Sequence, residues 1–302
     1  MTKKKDDSHK PLAATTITRY VLIVKQIVDS AVDEETGKHL YRPEWDSKFM
    51  GLPKVNKKKQ KRPSFSSEIV AGLARYPVML YRVLFILLAA TGARIGEMLG
   101  IEIDKHISPD FRTIFIRQKV HKGEIQHYLK TDASCRDIDL HPAISAVLRE
   151  FIGDRKSGLV FSAGARAPLT ATNMYTSHLH PALKALGYKN NYDQSHKAGF
   201  HAFRRFRNTF LKNFTRCPEG LRNYWLAWAK GEEEGERGGS EDMGDRYDMI
   251  ADNLPFRLQT AEECGFGFEL PSCVPTVPSC DPGQSDSNSS QHNENEGLDW
   301  SI

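Results

Sequence analysis

Between Thr15 and Ala31 the apolar residues Ile17, Tyr20, Val21, Val24, Ile27 and Val28 recur at helical spacing, which predicts a helix with one apolar face. From Phe65 the pattern becomes that of a globular domain. Ser66 and Ser67 ahead of Glu68 predict a capped helix to about Arg75. Pro77 opens the most apolar helix of the chain, running to Ala90. Thr91-Gly92-Ala93 breaks it, and Arg94 to Leu99 forms a new short helix. Three strand-like runs follow at Thr113–Ile116, Ile125–Leu129 and Arg136–Leu140, separated by polar turns. Beyond His141-Pro142 the pattern predicts helices over 143–152, 172–186, 201–214 and 218–229. Lys230 to Asp242 is almost all Gly and Glu and reads as a surface loop. A short helix is expected over 245–250. From about Pro271 the composition of Ser, Asn, Pro, Gly and acid predicts disorder. The order of elements predicts a mostly α fold with a small three-stranded antiparallel sheet, α+β in class.

Charge changes this picture most. The net charge of +4 conceals 39 Lys+Arg against 21 Asp+Glu in residues 1–230, and 3 against 17 in residues 231–302. A body this basic points to a polyanionic partner, because neutralising phosphates releases counterions; solubility alone is the other reading. Lys54, Lys57, Lys58, Lys59, Lys61 and Arg62 fall within nine residues, either as an arm along phosphates or as a solvated linker. The run Val83–Ala90 is too short to span a bilayer, and no longer one exists. The polar start Met1–Asp7 is not a signal peptide. Cys135, Cys217, Cys264, Cys273 and Cys280 form no Cys-x-x-Cys pair, so neither zinc nor a disulfide framework is expected, and a reducing cytoplasm fits.

Four separated pieces carry candidate chemistry. Arg94 stands at a helix start after a glycine turn, with Glu97 one turn on. Lys130 lies in the turn before the third strand, and Lys122 in the preceding turn is its rival. His201 and Arg204, three apart, share a helix face that would be basic. Trp228 follows at the end of the next helix, and Tyr247 sits in an Asp-Arg-Tyr sequence. Taken singly, each has a plain reading: a solvated arginine, a bland turn lysine, a basic helix, a core tryptophan.

Together they resemble the catalytic domain of the tyrosine recombinases, the phage integrases. That family's order is Arg, Lys, His-x-x-Arg, His or Trp, then Tyr, and Arg94, Lys130, His201, Arg204, Trp228 and Tyr247 follow it over roughly residues 65 to 255. The Thr-Gly-x-Arg-x-x-Glu context of Arg94 and Glu97 is typical of the family. The resemblance implies the catalytic-core fold of DNA breaking-rejoining enzymes. It also implies that double-stranded DNA is cut through a 3′-phosphotyrosine, with a homo-tetramer on paired sites. No metal or cofactor is implied, and the sequence shows neither a P-loop nor a carboxylate cluster for a two-metal site. The six catalytic positions would be supported by Glu97, with Lys57, Lys58, Lys59, Lys61, Arg62, Arg205 and Arg207 on DNA. The implied division is a shortened helical core-binding region and basic linker at 1–62, the catalytic domain at 63–256, and an acidic extension at 257–302. A bacterial-type cytoplasmic, nucleoid-associated location is the expectation.

Two departures keep a second reading open. Trp228 and Tyr247 are nineteen residues apart, wider than the family's usual spacing, with the Gly/Glu loop between them. The region ahead of the catalytic domain is also short for a complete DNA clamp. An inactive remnant that binds DNA without cutting it is therefore the alternative to an active recombinase. A regulatory nucleic-acid-binding protein without chemistry and a type IB topoisomerase are further readings, the last disfavoured by the short chain.

Overall fold

The structure, a computed structural model, describes residues 12–41, 45–46, 48–55, 62–129, 131–163, 167–228, 250 and 252–271. The chain divides into two units, Met1–Lys61 and Arg62–Ile302.

In the first unit, helix α1 (Ala14–Asp29) contains the expected apolar stripe, but none of its residues is buried. Tyr20, Val24 and Ile27 are exposed. A single antiparallel bridge, Val32↔His39, follows it, and His39 Nδ1 closes the turn on the Asp29 carbonyl at 2.7 Å. The Lys25 ammonium lies 5.3 Å from the centre of the Trp45 ring. The cluster Lys57–Lys61 lies outside the described residues.

The second unit is built around α3 (Met79–Thr91), preceded by α2 (Ser67–Leu73). Ser66 caps α2 by accepting from Ile69 N at 3.4 Å. Every residue of α3 from Val83 to Thr91 is buried, as an all-round apolar helix requires. It packs against α9 (His201–Phe214) and α6 (Pro142–Ile152). Phe203 of α9 stacks on Phe85 and meets Phe65 edge-on, which joins the two ends of the domain in one core.

Short helices α4 (Ile95–Leu99) and α5 (Ile103–His106) lead into the strands. The antiparallel character is as expected, but the sheet divides. Strands β1 (Thr113–Ile116) and β4 (Arg136–Asp139) pair with Ile114 opposite Ile138 and Ile116 opposite Arg136. Strands β2 (Lys119–His121) and β3 (Glu124–Gln126) form a separate hairpin. Two local features explain the split. Lys122 and Gly123 have φ of 52° and 85°, the paired positive values of a tight two-residue turn that pairs its own flanks. Between β1 and β2 the Gln118 side chain turns inward, donating to the Gly100 carbonyl and to Glu102 Oε1, both at 2.7 Å. This ends the β1 ladder. A third ladder of two-residue strands, β5 (Ser162–Ala163) and β6 (Ala167–Pro168), precedes the next helices.

The helix expected at 172–186 is α7 (Ala171–Met174), a π-helical turn at Tyr175–Leu179, and α8 (His180–Ala185). The widened turn ends next to Pro181, which lacks an N–H and would crowd the carbonyl four residues back in a regular helix. Helix α10 (Glu219–Trp225) follows α9. A C-terminal helix, Leu254–Cys264, crosses the expected boundary after residue 256 and packs on β4. Buried Arg257 ties it there, its Nε 3.0 Å from Asp139 Oδ2. No helix among the described residues is long and apolar enough to cross a membrane.

Candidate active site

The break between α3 and α4 is what presents Arg94. Gly92 caps α3 with φ of 67°, a conformation open to glycine at little cost. Thr91 Oγ1 donates to the Leu87 carbonyl and accepts from Ala93 N at 3.2 Å. The chain therefore leaves α3 sharply and re-enters a helix at once. Arg94 becomes the extended N-cap residue of α4, and Glu97 returns to accept from its backbone N at 3.0 Å, which satisfies one of the N–H groups left open at the helix start. Gly96 and Gly100 let α4 lie directly on β2: a Cβ at Gly96 would stand 2.7 Å from the Val120 carbonyl oxygen, and one at Gly100 3.0 Å from Lys119 Cα.

Arg94 Nη1 donates to Glu97 Oε1 at 2.6 Å, with Arg94 one-third exposed and Glu97 buried. Glu97 Oε2 also accepts from Arg136 Nη2 at 2.9 Å, and the Arg136 side chain is wholly buried. Burial alone would push the Glu97 carboxyl up. The charges and hydrogen bonds of Arg136 and then Arg94 outweigh burial and hold it below the ordinary carboxylate value.

Arg204 lies on the buried side of α9. Its Nη1 donates to the Gly92 carbonyl at 3.0 Å, so the two arginine segments meet at the α3–α4 break. Its guanidinium lies 5.3 Å from the centre of the Trp228 ring. Trp228 reaches that position through the end of α10. There Ala227 N bonds to the Tyr224 carbonyl and Trp228 N to the Asn223 carbonyl, with Ala227 at φ of 48°. This is a Schellman ending with alanine where glycine is usual.

His201 opens α9 and is exposed at its edge. Partial desolvation, then the positive charges of Arg205, Arg204 and Arg94, push its pKa below the ordinary 6.5, while Glu97 opposes them. Arg94, Glu97, His201 and Arg204 thus share one electrostatic environment, joined by Trp228.

A cleft of about 440 Å³ opens beside Arg94, lined by Glu97, Lys119, His121, Lys122 and Thr170 among others. Lys122, at the tip of the β2–β3 hairpin, faces this cleft. Lys130 lies outside the described residues, and so does Tyr247. Leu129 and Ser134, on either side of Lys130 in sequence, line the same cleft. Among the described residues no group of three or more His, Cys, Asp or Glu is placed to hold a metal.

The basic residues expected on DNA divide. Arg205 is half-buried, donates to the Pro63 carbonyl at 2.7 Å and feels the charge of Arg62. Arg207 is a correction: it is buried and donates to the Gly265 carbonyl at 2.8 Å. Helical periodicity explains this, because 203, 206 and 207 lie on the core side of α9. Arg136 was missed. Its signal lay in strand alternation, which places it in phase with buried Ile138.

Residues 71–214 match the model of the Phage integrase family. The Tn1549 transposon integrase in complex with circular intermediate DNA is 17% identical, with a TM-score of 0.53 over 72% of each chain. The same integrase in complex with transposon right end DNA gives 16% and 0.50, over 78% of this chain and 76% of that one. XerH site-specific recombinase bound to palindromic difH substrate gives 18% and 0.47, over 72% and 59%. At these identities the likeness is one of fold. No curated protein matches.

Proposed function

Because residues 71–214 form a domain of the phage integrase family on the fold of tyrosine recombinase catalytic domains, we propose that the chain is a site-specific DNA recombinase that cuts and rejoins duplex DNA through a 3′-phosphotyrosine on Tyr247. The observation that carries this reading is the convergence on the α3–α4 break of Arg94 held by Glu97 and Arg204 held by Gly92 and Trp228, with His201 within range of their charges.

The chemistry follows from the charges. In the transition state negative charge builds on the phosphoryl oxygens, and Arg94 and Arg204 hold them by charge-assisted hydrogen bonds. Glu97 fixes Arg94, while Gly92 and the Trp228 ring fix Arg204, so little reorganisation is needed when charge develops. A free tyrosine, with a pKa of about 10, is a weak nucleophile and needs help. His201, whose charged form is disfavoured by partial desolvation and then by its basic neighbours, accepts the hydroxyl proton or bonds the phosphate. The leaving 5′-oxygen needs a proton, and Lys130 is the general acid. A second 5′-hydroxyl reverses the reaction on a new strand, so bond energy is conserved in the adduct. Arg62, Arg205 and the lysines 57–59 and 61 contact the DNA backbone. Residues 1–62 grip DNA ahead of the catalytic part, 63–256 carries the chemistry, and four copies assemble on paired sites.

The test is covalent trapping. Purified protein is mixed with a library of nicked, labelled duplexes, denatured in SDS, and scored for DNA that migrates with protein, beside Tyr247→Phe. An adduct lost in Tyr247→Phe supports the proposal. Salt-sensitive DNA binding with no adduct from any duplex would replace it with a remnant that binds without cutting.

A further inference from the structure

We propose that Arg136 is a positioning residue for strand cleavage, which through Glu97 holds Arg94 in its phosphate-binding orientation and through Ser134 and Trp225 ties the lining of the Arg94 cleft to the end of α10 that carries Trp228. This rests on the recombinase reading.

A wholly buried guanidinium is retained only where acceptors surround it. Arg136 has three acceptors, each on a different part of the chain. Its Nη2 donates to Glu97 Oε2 at 2.9 Å, its Nη1 to the Ser134 carbonyl at 2.9 Å, and its Nε to the Trp225 carbonyl at 2.7 Å. Glu97 belongs to the helix that presents Arg94. Ser134 lines the Arg94 cleft and ends the segment that follows Lys130. Trp225 is the last residue of α10, three before Trp228, and its indole Nε1 donates to Asp139 Oδ2 at 2.9 Å on the strand that bears Arg136. One side chain therefore joins three of the segments that form the site. Only the planar, multi-donor guanidinium reaches all three acceptors; an ammonium does not have that fork.

The link to Arg94 is electrostatic as well as geometric. Glu97 Oε1 takes Arg94 Nη1, and Oε2 is shared between Arg94 N and Arg136 Nη2. The charged groups facing Glu97 are Arg94 on its own helix, Arg136 on β4 and, more distantly, His201 on α9. Without Arg136, Arg94 alone would oppose the burial that raises the Glu97 carboxyl, so the neutral acid would gain ground. A protonated Glu97 holds Arg94 by a weaker, uncharged bond, and Arg94 is the partner with room to move.

The experiment compares Arg136→Gln, Arg136→Lys, Glu97→Gln and the double variant Arg136→Gln/Glu97→Gln with the wild type, all as the full chain. Three readouts are used: single-turnover adduct formation on nicked duplexes at saturating DNA, DNA affinity, and the pH titration of the Glu97 carboxyl by 13C NMR in the DNA-free protein. For Arg136→Gln the adduct rate should fall roughly 10- to 100-fold, as when the partner of a functional ligand is removed, with affinity nearly unchanged and the acid limb of the rate profile moved to higher pH. The double variant should be slower than the slower single change by no more than about twofold, because the two act as one unit. Losses that multiply, or an unmoved acid limb, would overturn the proposal. The Glu97 titration is independent of cleavage: its midpoint should rise in Arg136→Gln and stay nearer the wild type in Arg136→Lys. A midpoint that does not move overturns the coupling even if the protein cuts DNA. Should the wild type form no adduct, the recombinase reading falls on that result alone, and a raised midpoint would still establish that Arg136 sets the charge holding Arg94. If Arg136→Gln does not fold, Arg136→Lys carries all three readouts, with a smaller rate loss at unchanged affinity expected and an unaltered rate overturning the geometric part.

Discussion

Gly92 offers a test that depends on geometry alone. Gly92→Ala meets two separate penalties. The first is backbone: φ is 67°, where an L side chain costs about 1–2 kcal/mol. The second is space: the new Cβ would stand 2.7 Å from Leu226 Cδ2 and 3.2 Å from Arg207 Cβ. Leu226 is fully buried and the Arg207 Cβ is fixed to the core side of α9, so neither yields freely, and forcing atoms into a packed interior costs about 1–3 kcal/mol. The total is about 2–5 kcal/mol, and at about 2–4 °C per kcal/mol for a domain of this size the melting temperature should fall by roughly 4–20 °C. Two other glycines separate the penalties. Gly187 has φ of 65° with nothing within 4 Å of its Cβ, and Gly199 has open space without a positive φ. Gly187→Ala should therefore cost only the backbone part, roughly 2–8 °C, and Gly199→Ala under about 2 °C. Circular dichroism melts of the three variants give the order directly. If Gly92→Ala melts with Gly187→Ala, the contact with Leu226 and Arg207 is not a close-packed one, and the account of how the α3–α4 break is held would be wrong.

Other expectations follow from single interactions. Ala227→Gly removes a left-handed alanine at the end of α10 and should stabilise by up to about 1 kcal/mol; a melting temperature below wild type would contradict the Schellman assignment. His201 should titrate below 6.5 in the folded protein, since partial desolvation and the neighbouring arginines disfavour its charge. Its folded pKa is thus below its unfolded value, so its contribution to stability is present above about 6.5 and is lost as pH falls through the folded midpoint. A ring midpoint at or above 6.5 by NMR would refute this. Arg257→Met leaves the wholly buried carboxylate of Asp139 without its ion-pair partner and should cost about 3–5 kcal/mol, with hydrogen exchange over 254–264 rising first; unchanged protection would mean that the C-terminal helix is held by its apolar contacts. Arg204→Lys keeps the charge but loses the planar contact with Trp228, so adduct formation should drop by about 100-fold or more while DNA affinity holds; an equal loss of both would assign Arg204 to binding alone.

What could be read from the chain before the structure follows from how locally each feature is encoded. The α3 helix was legible because eight consecutive apolar residues have one physical outcome, and Gly92 was legible as a break because glycine after a helix is a local signal. The pairing of the strands was not. The turn at Lys122 was legible, but that it pairs its own flanks through the positive φ of Lys122 and Gly123, and that Gln118 turns its amide toward Gly100 and Glu102, is set only by the fold. The site shows the same division. Arg94, Glu97, His201 and Arg204 stand out only through the resemblance, whose boxes are short local motifs: Thr-Gly-x-Arg-x-x-Glu and His-x-x-Arg. Arg207 was misread by the same logic. A basic residue beside Arg204 and Arg205 looks like part of a cationic surface, but at position 207 the helix has turned its side chain inward to Gly265. Arg136 is the converse. It sits among the polar residues Arg136-Asp137 and Asp139, which suggests an exposed strand, yet it shares the phase of Ile138, and its three acceptors come from residues 2, 39 and 89 positions away. A buried charge is specified by its partners, and partners that distant are supplied only by the fold. The motif on which the resemblance rests can therefore be read along the chain, whereas the support proposed for Arg94 is distributed across it.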